Sequence, residues 1–361
     1  MDTEKILREQ LDNVLDGETL QGLTEQADEI SGGLAEQFSL ENILSATING
    51  DSIFDGQMMI DSLADLLVYE LKSTLVICVE ILAICIAVGL LKNLASSFGT
   101  KSVADISILV MVMLIIALCI NSFRLVYDLA LDSVSTMADT MAVLAPVLIG
   151  ILVSTGAVTS GTILSPMIIG SVSGIALIIK AVILPALFTA TVLALINCLT
   201  EKDYVKKLAK LLRSAAIAVT GLLTVILTGI ISLQGLLTDA SDGLLLNTAK
   251  YSLSTFIPIV GGFTSDTVEL FLRCMSSIKS VVGVFGIVLL LLLILVPLLK
   301  IMAVAVLYKL TAALAEPIAE SRIADGLSEM GSCLISVASI MFFNALLFIM
   351  FITTIMRIGG S

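Results

Sequence analysis

Two ionisable residues stand inside apolar runs of this chain, Glu80 within 73–91 and Lys180 within 162–199. In the middle of a hydrocarbon layer such a group costs ~2.5–3.5 kcal/mol on insertion scales, so it belongs in a bundle interior, a wet cavity or beside an opposite charge. The chemistry open to the pair is proton or ion movement along a polar pathway, with Lys180 as counter-ion of Glu80. The alternatives are an interhelical hydrogen-bond anchor for Glu80 and a Lys180 that sits at a hairpin turn and snorkels to the interface. Gly170 and Gly174 form a GxxxG pair that lets helices approach closely, within the chain or between copies.

Two polar clusters lie outside the apolar runs. Residues 232–279 hold Gln234, Asp242, Lys250, Pro258, Gly261, Gly262, Asp266 and Arg273, which read as an ion-paired docking surface or pore vestibule, or as a solvated loop of balanced charge. The piece 251–263, interrupted by Pro258 and Gly261-Gly262, is too short to cross a bilayer and predicts a re-entrant or interfacial segment. Residues 310–330 carry Glu316, Glu320, Arg322, Asp325 and Glu329 at helical spacings. They predict an amphipathic cytoplasmic helix that either contacts a partner or covers the bundle.

Catalysis has no visible basis. The chain has no histidine, no HExxH, no GxSxG and no Walker A pattern, so a zinc site, a hydrolase elbow and a nucleotide loop are all unreadable. Six cysteines, mostly within apolar runs and with no CxxC pair, read as small buried hydrophobes rather than metal ligands. We expect no enzyme activity, no cofactor and no metal.

The elements that must hold these residues follow from composition. Hydrophobic residues make up 58% of the chain and charged residues 14%, against roughly 25% charged in soluble domains. Residues 1–70 carry sixteen Asp and Glu against Lys5 and Arg8, a charge of −14, while 71–361 carry +2. The division predicts an acidic head of short amphipathic helices over 1–70 and a multi-span membrane domain over 71–361. Long apolar runs with short polar breaks point to helices rather than a barrel. The fold class is therefore all-α, a polytopic transmembrane bundle.

Hydropathy gives about eight spans, with a range of seven to nine. They run over 73–91, 104–123, 141–155, two helices meeting near Lys180 within 162–199, then 214–236, 281–299 and 333–356. Residues 281–314 hold one long helix or two. The loop 201–213, with Lys202, Lys206, Lys207, Lys210 and Arg213, goes to the cytoplasm by the positive-inside rule, which sets the head on the opposite side. Lys92 and Lys101 then fall inside as well. The head's charge makes nucleic acid and anionic lipid poor partners for it.

In unbroken order the chain presents Gly156-Ala157, Ser165-Pro166, 197–201 as Asn-Cys-Leu-Thr-Glu, Lys207-Leu208, the residues of 232–279, Pro297 to Ile301, Tyr308-Lys309, 312–314 and Glu316-Pro317 with Arg322. This series resembles the stage III sporulation protein AE family of endospore-forming bacteria over roughly 70–361. The resemblance implies a membrane subunit of the channel complex between mother cell and forespore, in the mother-cell-derived outer forespore membrane, required for forespore development. Implied partners are the other stage III A operon proteins, including a secretion-type ATPase and ring-forming proteins, and a forespore-side channel partner. Self-association into a homo-oligomer stays open, nucleic acid is not a partner, and the family supplies no catalytic motif. Family members usually begin with a cleavable leader. Met1-Asp2-Thr3-Glu4 has no basic or apolar leader region, so the head is cytosolic or a leader has been removed, which would place the head in the intermembrane space. An autonomous transporter of small molecules or ions is the alternative, carried by Glu80, Lys180 and broken helices.

Overall fold

The structure is a computed structural model, which describes residues 56–98, 101–155, 157–199, 204–230, 261–319 and 321–358, with positions 22, 24, 25 and 43. Apart from those four positions, residues 1–55 of the head expected over 1–70 lie outside the described residues, as does the segment 231–260. Every regular element among the described residues is helical. They are α1 (Gly56–Phe98), α2 (Lys101–Ser154), α3 (Val158–Ile178), a π-helical turn (Ile179–Ile183), α4 (Leu184–Asn197), α5 (Lys206–Ile230), α6 (Gly261–Ala315) and α7 (Ser321–Arg357). Among the described residues, six helical stretches are long and apolar enough to cross a membrane. The chain is a multi-pass helical membrane protein.

Six is fewer than the eight spans expected, and the difference has a physical source. The expected spans 104–123 and 141–155 are the two ends of one helix, α2, whose middle carries Arg124, Asp128, Asp132 and Asp139. Those charges lower hydropathy without breaking a helix, because none of them removes a backbone donor or adds conformational freedom as Pro and Gly do. Arg124 and Asp128 face each other one turn apart at 3.8 Å. Near Lys180, where the sequence leaves a tight hairpin or a broken helix pair open, the chain does not turn back. Here α3 runs into α4 through the π turn, and Pro185 sits in the first turn of α4. A π turn adds a residue to one helical turn and relieves the contact of a proline ring with the preceding carbonyls.

Two more boundaries differ. Lys206, Lys207, Lys210 and Arg213 stand in the first turns of α5 rather than in a loop. The helix expected over 310–330 is interrupted by a turn at 316–319, where Pro317 cannot donate; the amides of Ile318 and Ala319 both bond the Ala315 carbonyl, at 3.0 and 2.7 Å. Residues 281–314 form a single helix with Pro297 inside it, and α1 passes through residue 70 without a break.

Packing gives the bundle two ends. At one, Val112 and Ile116 of α2, Leu195 and Cys198 at the end of α4, and Ile323 and Leu327 of α7 line one small cavity. At the other, Gly286 of α6 lies against Leu144 of α2 and Ile352 of α7. Hence α2 and α7 run parallel, and α6 runs antiparallel to both. The innermost helices are α6 and α7, with 72% and 61% of their span windows buried, while α5 has 11%. Between the ends, Phe188 stacks on Phe123 and Tyr127, with ring centroids 5.9 and 5.2 Å apart, and ties α4 to α2.

Lys279, wholly buried on α6, donates to the carbonyl of Ile358 just beyond the end of α7. The cation satisfies a terminal carbonyl and sits at the negative end of the helix dipole.

Candidate functional site

The richest collection of charge among the described side chains lies where α4 ends and α5 and α7 begin. Asn197, the last residue of α4, accepts a hydrogen bond from the amide of Val205 at 3.3 Å and thereby closes the connection to α5. Lys206, Lys210 and Arg213 recur at three- to four-residue spacing and so share one face of α5. From the facing helix, Glu329 of α7 accepts from Arg213 at 2.7 Å and lies 3.7 Å from Lys210. With Arg322 and Asp325 these side chains line a cavity of about 250 Å³.

Cys198 lines the same cavity and bonds the Ala194 carbonyl at 3.5 Å. Burial, helped by the Asp325 carboxylate, pushes its thiol up to about 11, so it is a neutral wall rather than a nucleophile. A Cβ on Gly326 would strike the Cys198 sulfur, so a side chain there would force Cys198 to move. No group of three or more metal-ligating side chains occurs among the described residues.

The residues singled out in the sequence are dispersed. Glu80 is exposed on the outer face of α1, beside Val76 and Val79, which are 59% and 60% exposed. Within one chain it does not occupy the interior position expected of it. Lys180 is exposed on the π turn and donates to Ser135 of α2 at 3.0 Å. Among the described residues no ion pair joins it to Glu80.

Gly170 is exposed and Gly174 half-buried, and a Cβ built at either meets no atom within 4 Å. The pair therefore does not serve close packing inside the chain. Gly170→Leu is expected to leave the thermal stability of the detergent-solubilised chain unchanged or slightly raised, because leucine ranks just below alanine as a helix former and glycine lies ~0.8–1 kcal/mol below alanine. A clear drop in Tm would restore the intramolecular contact.

Gln234, Asp242, Lys250 and Pro258 lie outside the described residues. Gly261 and Gly262 open α6, and Asp266 and Arg273 lie in its first turns; their side chains are outside the described ones. Glu316 is exposed in the turn before α7 and Arg322 is exposed on its first turn, while Glu320 is not described.

A model of the stage III sporulation protein AE family matches residues 38–359. The chain belongs to this family. It is 27% identical over 329 residues to stage III sporulation protein AE of Bacillus subtilis (strain 168), a match covering 91% of this chain and 82% of that relative. No solved structure matches. Membership gives the chain a role in sporulation, and the match runs across every described helix from α1 to α7.

Sequence reading missed the meeting of Arg213 with Glu329, residues 116 positions apart. Its only signals were a basic cluster read for topology and an acidic spacing read for docking.

Proposed function

We propose that this family member is a membrane subunit of the stage III A channel complex between mother cell and forespore, acting in assembly or formation of a transmembrane conduit. The observation that carries the complex is Glu80. It lies on the apolar outer face of α1 within the span Thr74–Leu91, among exposed Leu75, Val76, Val79 and Ile86. A carboxylate there is costly against lipid and well placed against another subunit or a wet conduit. The open surface of α5 supports the same reading, since a helix so little covered by its own chain has room for a neighbour.

The subunit sits in the mother-cell-derived outer forespore membrane, with the basic start of α5 on the cytoplasmic side by the positive-inside rule and the acidic head in the intermembrane space. Its partners are the other stage III A operon proteins, among them a secretion-type ATPase and ring-forming proteins, and a channel partner on the forespore side. The role asks for no catalysis by this chain. The transporter alternative draws on Glu80 and Lys180 as a pair, whereas Lys180 donates to Ser135.

The test is purification of the tagged chain from sporulating cells after cross-linking. Recovery of the other stage III A proteins is expected, and Glu80→Gln should reduce it several-fold while leaving the amount of the chain in the membrane unchanged. Recovery of the chain alone, under conditions that keep the complex intact, overturns the reading.

A further inference from the structure

We propose that one face of α2 is the water-exposed wall of the conduit, meeting an aqueous lumen rather than lipid or a dry protein seam. In the channel role proposed above, on which this assignment rests, that face is the wetted lining. Between residues 121 and 139 the exposed positions of α2 are Asn121, Arg124, Leu125, Asp128, Asp132 and Asp139. At 3.6 residues per turn the polar ones, with half-buried Ser135, fall within an arc of about 80° and run for about 27 Å along the axis.

The stripe is only partly neutralised. Arg124 lies 3.8 Å from Asp128, and both side chains stay open, at 73% and 54% exposure. Lys180 reaches across from the π turn and donates to Ser135 at 3.0 Å. Asp132 and Asp139 have no ion-pair partner among the described residues.

Neighbouring helices fix the depth of the stripe. Val112 and Ile116 share a cavity with Ile323 and Leu327 of α7, and Leu144 and Ile352 both approach Gly286. The stripe therefore runs beside α7 between residues 327 and 352. Over the same stretch α5 runs from Arg213, paired with Glu329, to Thr228, whose hydroxyl lies 3.7 Å from the Met350 sulfur. Residues 214–230 and 330–352 contain no Asp, Glu, Lys or Arg. Leu222 and Val225 of α5 are 60% and 70% exposed, which suits lipid and not water. Charges on α2 thus stand at the depth where its neighbours are built for hydrocarbon.

Lipid against this face would leave two unpaired carboxylates in hydrocarbon, which is costly. A dry seam with a second copy fails on symmetry. Copies in one membrane share an orientation, so a rotation axis normal to it would oppose Asp132 to Asp132 and Asp139 to Asp139 without solvent. Water satisfies every group of the stripe at once, and carboxylates ranked along a wall are a form in which aqueous pores present charge.

The experiment places single cysteines in the full chain as Asp128→Cys, Asp132→Cys and Asp139→Cys, with Leu222→Cys and Val225→Cys as lipid-facing references at the same depth. Membranes of sporulating cells are treated with a charged, membrane-impermeant methanethiosulfonate, and the modified fraction is read as a mass shift after denaturation. The unsubstituted chain gives the background of its six native cysteines. Reaction at the α2 positions is expected to be at least ~10-fold faster than at the α5 references, because the thiolate is the reacting form and apolar surroundings suppress it.

Equally slow reaction on both helices overturns the proposal, since the stripe is then dry and covered by a partner. Equally fast reaction overturns it too, since the whole level then stands outside lipid. Asn121→Cys, which removes no charge, replaces any aspartate variant that fails to accumulate and is judged by the same ratio. Recovery of the stage III A proteins is scored on the same membranes. A dry stripe in an intact complex removes the wetted face alone, whereas a wet stripe on a chain recovered alone keeps the face and removes the complex.

Discussion

Glu329→Ala should lower the stability of the solubilised chain by about 1–3 kcal/mol, seen as a lower Tm. The carboxylate accepts a 2.7 Å hydrogen bond from Arg213, and each side chain is 27% exposed. A hydrogen bond to a charged group contributes roughly 1.5–3 kcal/mol. Removing one member of a fully buried pair costs roughly 3–5 kcal/mol, because the partner is stranded, and partial exposure of this pair reduces that figure. Lys210 is 56% exposed and stands 3.7 Å from the same carboxylate. Lys210→Ala should therefore cost under about 1 kcal/mol, in the range of surface pairs. In a double-mutant cycle, Arg213→Ala should be much less harmful once Glu329 is alanine, since no stranded charge remains. Additive losses would show that α5 and α7 are held together by something other than this pair.

The second large effect is expected at Gly89. A Cβ there would fall on the backbone carbonyl oxygen of Ile318, in the turn between α6 and α7. The carbonyl cannot rotate away, so Gly89→Ala must push α1 off that turn. Gly283 is the natural control. A Cβ at Gly283 would strike the side chain of Met356, which is flexible and can change rotamer. Both substitutions gain similar helix propensity, ~0.8–1 kcal/mol. The difference between them isolates the packing cost, expected at about 1–3 kcal/mol against Gly89→Ala. Equal Tm values for the two variants would mean that α1 is only loosely seated on the turn.

Both sites bear on what could be read before the fold was known. The membrane class and the helical architecture were legible, because apolar runs near 20 residues admit few alternatives. The continuity of α2 was not. A hydropathy profile registers Asp128, Asp132 and Asp139 as a gap between spans, whereas the backbone propagates through them as through any residue that keeps its amide. The π turn at 179–183 was half legible. Lys180 and Pro185 marked an irregularity, but whether the chain reverses or continues depends on the packing of α3 and α4 against α2.

The cleft was legible only in pieces. Lys206, Lys210 and Arg213 stood out as a topology signal, and Arg322, Asp325 and Glu329 as a charged helix face. Their meeting depends on how α5 and α7 lie side by side, and no local pattern encodes a contact between residues 116 positions apart. Glu80 erred in the other direction. The cost of a buried charge gave a sound reason to expect it inside, but that argument concerns the assembled protein, and a single chain leaves the face open.

The lengths of α2 and α6 fix how far this protein reaches. At 1.5 Å per residue, helices of 54 and 55 residues measure roughly 80 Å along their axes. A hydrocarbon layer of ~30 Å accounts for about 40 Å of such a rod even at the steep end of observed helix tilts, ~40°. About half of each rod therefore extends past the hydrocarbon. A body built on such helices is as much a strut as an anchor, because it continues beyond the lipid that holds it.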